Sequence, residues 1–195
     1  TAIPGPKSQE MVNRAMEVIA KAQYAGVFGI AITAGKGAYI TDADGNTFLD
    51  FLAGASAVSV GYGRQDIIDV YAKTALKIQH SCFPYSPNEE AMQFAKKLIQ
   101  VTPGDFEKRV LFGMTGSDGV DAAIKIARRY TGKPGIISFK GGYHGATGFS
   151  LSANGFAGLQ KGLFISSDFM MVDFPRTDQA AEKALTEIEN LLKVG

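Results

Sequence analysis

The segment Gly113-Met114-Thr115-Gly116-Ser117-Asp118 sets two hydroxyls, a carboxylate and two glycines between a short apolar run and a helical pattern. Amide N–H groups at such a turn point out of the helix N-terminus, with the positive end of the helix dipole behind them. That is the chemistry of a phosphate or anion seat, and the hydroxyls of Thr115 and Ser117 add donors beside the amides. The same residues also suit an ordinary capped helix whose N-terminus is satisfied by Ser117 and water. A second segment, Gly141-Gly142-Tyr143-His144-Gly145, follows a predicted strand at its C-terminal end, where open α/β sheets hold their ligands. Its paired glycines let the backbone approach closely. Tyr143 presents a flat ring and His144 a hydrogen-bonding imidazole, a pair suited to an aromatic cofactor. A packed tyrosine beside a satisfied histidine uses the same two residue types. Lys140 next to them would be a nucleophile only if desolvation lowered its pKa; nothing in its surroundings does so, and it reads as solvated.

Other chemistries lack their residues. Gly35-Lys36 is followed by Gly37 and Gly132-Lys133 by Pro134, so neither makes a nucleotide-binding P-loop. A dinucleotide fingerprint after a strand and a nucleophile elbow are both missing. With His80 and His144 as the only histidines and Cys82 as the only cysteine, there is no metal-ligand cluster and no internal disulfide. Cys82 reads as plain packing in a reducing, cytoplasmic compartment. A formal net charge of +1, with both signs interleaved, gives no footprint for nucleic acid or an anionic membrane. No apolar run reaches the ~20 residues of a membrane-spanning helix, and the first residues given do not read as a basic segment followed by an apolar stretch. At 46% hydrophobic and 20% charged residues the composition is that of a globular chain, which argues against disorder.

These segments need elements to carry them. Helical spacing runs from Val12 through Met16, Ile19 and Gln23, followed by an extended stretch over 27–32. Residues 37–51 read as a hairpin turning at Asp44-Gly45-Asn46, and the glycine-rich stretch 52–63 as a loop near a ligand. One helix carries the stripe Ile67, Val70, Tyr71, Thr74, Ala75 and Ile78. The next opens at Ser86-Pro87, with Ser86 as cap and Glu89 completing a capping box, and turns Ala91, Phe94, Ala95 and Leu98 to the core. A strand over 108–112, a helix over 116–131 and a strand over 136–139 make a βαβ unit, and a strand over 169–174 and a helix over 178–192 continue the alternation. The fold class is α/β with a mainly parallel sheet.

The run Thr115-Gly116-Ser117-Asp118, then Asp121-Ala122-Ala123-Ile124-Lys125-Ile126-Ala127-Arg128 and Tyr130-Thr131-Gly132-Lys133, resembles the class III aminotransferases. Gly141 to Gly145 is similar to that family's Gly-Gly-Tyr-His-Gly. Asp42-x-Asp44-Gly45-Asn46, with Leu49-Asp50-Phe51 and Ala53-Gly54, looks like its N-terminal hairpin. The resemblance implies the large α/β domain of a type I pyridoxal-phosphate (PLP) enzyme, preceded by an N-terminal helix and hairpin. It implies that residues 1–52 belong to the small domain and 53–195 to the first part of the large one. Gly116 and Ser117, with Thr115 beside them, would hold the cofactor phosphate; Tyr143 would stack on the pyridine ring and His144 support that face. Asp121 matches an acidic position near the cofactor, and Tyr85 a residue lining the substrate pocket. The family works as homodimers on small amino acids or amines and oxo acids.

Departures qualify the match. Gly61-Tyr62-Gly63-Arg64-Gln65 stands where the family usually has Gly-His-x-His-Pro. Gly119-Val120 replaces the commoner alanine-asparagine. Asp118 in place of glutamate, together with Leu52-Ala53-Gly54-Ala55-Ser56-Ala57, looks like a subgroup that includes amino-acid racemases and epimerases. The family's Schiff-base lysine and its aspartate beneath the pyridine nitrogen are expected beyond Gly195, so no catalytic residue is assigned here and this chain alone is expected to be inactive. The readings carried forward are an aminotransferase, a racemase or epimerase of the same family, and a non-catalytic binding or interaction protein that ends at Gly195.

Overall fold

The computed structural model describes residues 2–21 and 26–194. They fall into two compact units, Thr1–Asn88 and Glu89–Gly195. In the first, helix α1 spans Pro6–Val18, with Pro6 in its first turn and no side-chain cap of its own. The Asp44 carboxylate takes the place of a cap, accepting the N–H groups of Lys7 and Ser8 at 2.9 and 2.8 Å. The helix therefore starts earlier than its apolar spacing suggested. It also ends earlier: Ile19 is already extended, in keeping with the two β-branched residues Val18 and Ile19, and Gln23 lies outside the described residues.

Strands β1 (Ile32–Lys36), β2 (Tyr39–Asp42) and β3 (Thr47–Leu49) form an antiparallel sheet in that order. The hairpin lies where the sequence placed it, and the extended stretch before it contributes a third strand only from Ile32 onward. The turn is built on Asp42, whose side chain is buried and accepts N–H groups from Asp44 and Asn46 and the Asn46 amide. Burial pushes the Asp42 carboxyl up; the hydrogen bonds from Asn46 and Asp44 outweigh it and hold the group below the ordinary carboxylate value. Asp50 is lowered mainly by the Tyr62 hydroxyl, which donates to it at 2.8 Å. After the sheet, α2 (Ala53–Ser56) is a single turn whose residues all have φ between 50° and 68°, three of them not glycine. Helix α3 (Gln65–Lys77) follows, and its apolar stripe is open: Ile67, Val70 and Tyr71 are all exposed.

The second unit begins with α4 (Glu89–Val101). Ser86 does not cap it. The helix starts only at Glu89, so the residue in the cap position is Asn88, an equally good capping type, and Ser86 lies two residues upstream. On α4, Phe94 stacks on Phe112 at 5.8 Å. Residues 108–112 form no strand, because no neighbour offers them a hydrogen-bond ladder among the described residues; apolar, β-favouring side chains do not make a strand unpaired. Helix α5 (Gly116–Thr131) lies on its expected bounds and ends on Gly132 with φ 70°, a left-handed cap. The parallel pair is instead β4 (Ile136–Phe139) with β5 (Phe169–Val172), in register from Ile136 opposite Phe169 to Phe139 opposite Val172. Two short helices, α6 (Gly148–Ser152) and α7 (Ala157–Gln160), lie in the crossover, and α8 (Asp178–Val194) follows β5. Among the described residues Ile124, Ala153, Val172 and Ala184 are the buried apolar side chains, so the core of this unit lies where α5, the end of α6, β5 and α8 meet.

Candidate functional site

At the head of α5 the cap is Thr115, not Ser117. Thr115 is extended (φ −140°, ψ 165°), and its hydroxyl accepts the Asp118 N–H at 3.2 Å. The Asp118 carboxylate in turn accepts the N–H groups of Thr115 and Met114, each at 3.0 Å, closing a capping box. Thr115 and Asp118 thus satisfy each other, and the first two helical amides, of Gly116 and Ser117, have no acceptor among the described residues. A Cβ built on Gly116 would meet nothing within 4 Å. The Ser117 hydroxyl accepts the Ala146 N–H at 3.2 Å and keeps its own proton to donate.

That bond ties α5 to the second glycine-rich segment. The Gly142 N–H returns to the Phe139 carbonyl at 3.1 Å, and Gly141 and Gly142 exchange hydrogen bonds with Gly155 at 3.1 and 2.8 Å. Gly145, at φ 132°, lies directly on α5: a Cβ there would fall 2.5 Å from the Ser117 hydroxyl and 2.6 Å from that of Ser150. Only glycine permits this approach. The His144 imidazole folds back over Gly142, where an added Cβ would sit 2.9 Å from Nε2. Tyr143 is 64% exposed and, with Gly155, Phe156 and Leu159, lines an open cavity of about 530 Å³.

One turn beyond Ser117, on the same face of α5, Asp121 accepts the Ser150 N–H at 2.6 Å and the Thr147 hydroxyl at 3.3 Å. Its carboxylate therefore anchors the start of α6, and it borders a cavity of about 330 Å³ with Lys125, Phe149 and Phe164. Thr115, Gly116, Ser117 and Asp121 thus lie at the head of α5, and Tyr143 and His144 on the loop that Ser117 holds at Ala146, with Asp121 and Tyr143 facing different cavities. Tyr85 belongs to the first unit, 88% exposed, and its role rests on the resemblance alone. Lys140 is exposed and pairs with Asp173 at 3.0 Å, in line with a solvated lysine. Among the described residues no cluster of histidine, cysteine or carboxylates could hold a metal ion, and no helix is long and apolar enough to cross a membrane. The residue that sequence reasoning missed is Asn154. Its only local signal is an Asn-Gly pair, which reads as a turn, yet its side chain holds the His144 loop from 10 residues away.

A helix N-terminus with spare amides is set beside a loop at the C-terminal end of a parallel strand, an arrangement in which α/β proteins can hold anions. The chain has the type I PLP-dependent transferase fold. It aligns with the structure of taurine:2-oxoglutarate aminotransferase from Bifidobacterium kashiwanohense in complex with PLP and glutamate, with a TM-score of 0.81 and 24% identity over 97% of this chain and 46% of that one. The class-III aminotransferase model matches residues 19–194, and the chain belongs to that family. It is 39% identical over 158 residues to the alanine/serine racemase of Pyrococcus horikoshii, covering 81% of this chain and 33% of that protein. Identity to the 4-aminobutyrate aminotransferase of Mycobacterium bovis is 31% over 153 residues, 78% of this chain and 34% of that protein. The chain thus spans about a third of the length of the curated relatives it matches.

Proposed function

We propose that the protein carrying this chain is a PLP-dependent aminotransferase that moves an amino group between an amino acid or amine and a 2-oxo acid or aldehyde. The observation that carries this reading is the pair of unpartnered amides of Gly116 and Ser117 at the head of a 16-residue helix, tied through Ser117 to the Tyr143–His144 loop. These residues fit the cofactor. The two amides and the Ser117 hydroxyl would hold its phosphate, with Thr115 closing the turn behind them. Tyr143 offers a ring face, His144 supports it, and Asp121 holds α6 against the helix that binds the phosphate. Tyr85 would line the substrate pocket. When bound, PLP supplies an electron sink for the carbon that loses its proton. The lysine that links it would lie outside this chain, which alone would be inactive. On this reading residues 1–52 belong to a small domain and 53–195 to the large one, the protein works as a cytoplasmic homodimer, and no nucleic acid or membrane takes part.

A second reading, an amino-acid racemase or epimerase, is favoured by the 39% identity to the alanine/serine racemase, above the 31% to the aminotransferase. The two differ in where the proton returns. Supplying the full protein with PLP, a single-enantiomer amino acid and a 2-oxo acid separates them: amino transfer supports the first reading, and loss of optical activity without need of the oxo acid supports the second. Borohydride reduction followed by mass mapping tests the cofactor itself. The expected adduct is on a lysine outside these 195 residues. A single saturable adduct on a lysine within them, such as Lys140, would overturn the assignment.

A further inference from the structure

One side chain that the proposed function does not use holds the Tyr143–His144 loop. Asn154 is 1% exposed. Its Oδ1 accepts the His144 N–H at 2.6 Å, and its Nδ2 donates to the Gly145 carbonyl. A single buried amide thus takes up a donor and an acceptor one residue apart, which fixes both its own orientation and the path of the backbone between them. The next residue, Gly155, pairs with Gly141 and Gly142, and a Cβ there would run into the Gly141 nitrogen and the Phe139 carbonyl oxygen. Asn154 is itself secured, since the Gln160 amide donates to its carbonyl at 2.8 Å and to that of Leu151 at 3.0 Å. The chain from Asn154 to Gly155 therefore acts as a splint along residues 141–145.

The splint is needed because the loop's functional side chains cannot hold themselves. Tyr143 is 64% exposed, and its hydroxyl has no partner among the described residues, so the place of its ring is set by the backbone. A buried polar group with all its bonds made rigidifies what it touches, whereas one left half-made is costly. We propose that Asn154 is a positioning residue for Tyr143 and His144, fixing their backbone where a planar cofactor would lie against them; this rests on the cofactor reading above.

The test uses the full protein, with PLP as the probe, and the variants Asn154→Ala and Asn154→Asp. Hydrogen exchange of the His144 amide is measured without cofactor; absorption of the bound cofactor, kcat and KM are measured with it. In Asn154→Ala the His144 amide should lose its protection while the amides within α5 keep theirs. The cofactor band should shift, and kcat should fall about 10²-fold with KM for the amino substrate little changed, as expected of a misplaced contact rather than a lost one. Asn154→Asp keeps an acceptor for His144 but sets a carboxylate oxygen against the Gly145 carbonyl, so the His144 amide should keep more of its protection than in Asn154→Ala while the Gly145 side of the loop loosens; it carries the test if the alanine variant does not fold. Unchanged His144 protection overturns the proposal, as does an unchanged band with unchanged kcat. If the wild type itself takes up no PLP, the cofactor reading fails first and the positioning role falls with it, a result visible before any substitution is made.

Discussion

Both units fix their backbones by side chains that grip main-chain N–H groups, and both leave uncapped helical amides, at the head of α3 in the first and of α5 in the second. In the second, however, these lie beside a loop clamped by a buried side chain from elsewhere in the chain. In the first unit the grips close on themselves: Asp42 on its own turn, Asp44 on the head of α1, and Asp50 on residues 52 and 53 and Tyr62. In the second, Thr115 and Asp118 close the capping box, Asp121 holds α6 and Asn154 holds the His144 loop, and two helical amides, a hydroxyl proton and an exposed tyrosine ring remain. A clamp by itself marks scaffold. Unspent donors beside a well-clamped loop are what the proposed cofactor site would use, because rigidity there would preorganise the groups that bind.

The comparison breaks most sharply at Gly155. Gly155→Val drives a side chain into the backbone of Gly141 and Phe139 and should cost about 3 kcal/mol, read as a lower denaturant midpoint at unchanged slope. Asp121→Ala leaves the buried Ser150 without an acceptor for its N–H and should cost about 2 kcal/mol, with Asp121→Asn costing less because one acceptor survives; equal losses for the two would show that the carboxylate is not the anchor. Thr115→Ala removes the cap of α5 at about 1 kcal/mol, visible as faster exchange confined to the first helical turn. Ala55→Gly acts in the opposite direction. It relieves a left-handed φ of 57° and should raise the stability of the first unit by about 0.5 kcal/mol, measured by thermal unfolding.

The smallest effect is set by pH. Asp42, Asp44 and Asp50 all have folded values below their ordinary 3.8. The unfolded chain therefore binds protons first, so their contribution to stability is fully present above about pH 4 and is lost as pH falls through the depressed values. Unfolding followed by circular dichroism near neutral pH and below about pH 3 should show the first unit weakening in acid. A first unit indifferent to that change would mean that these carboxylates are not spent as described.

What could be read in advance was local. The turn at residues 44–46, both bounds of α5 and strand β4 follow from side chains within a few residues of each other, and the structure keeps them. Where a distant partner decides, the reading missed. Residues 108–112 have the composition of a strand and no ladder among the described residues; α1 begins at Pro6 because Asp44 caps it from 36 and 37 residues away.

The same division runs through the site. The sequence by itself determined the head of α5, since the capping box and the spare amides of Gly116 and Ser117 arise from four consecutive residues, and its end, where Gly132 takes a left-handed turn. It also determined that Tyr143 and His144 follow paired glycines. Only the tertiary structure decided that Gly145 lies on Ser117, that Asp121 reaches Ser150 across 29 residues, and that Asn154 closes on His144 and Gly145. The physical reason is that capping and turn energies are settled by neighbours in the chain, whereas a clamp between distant segments exists only once burial of the core has brought their backbones within hydrogen-bond reach.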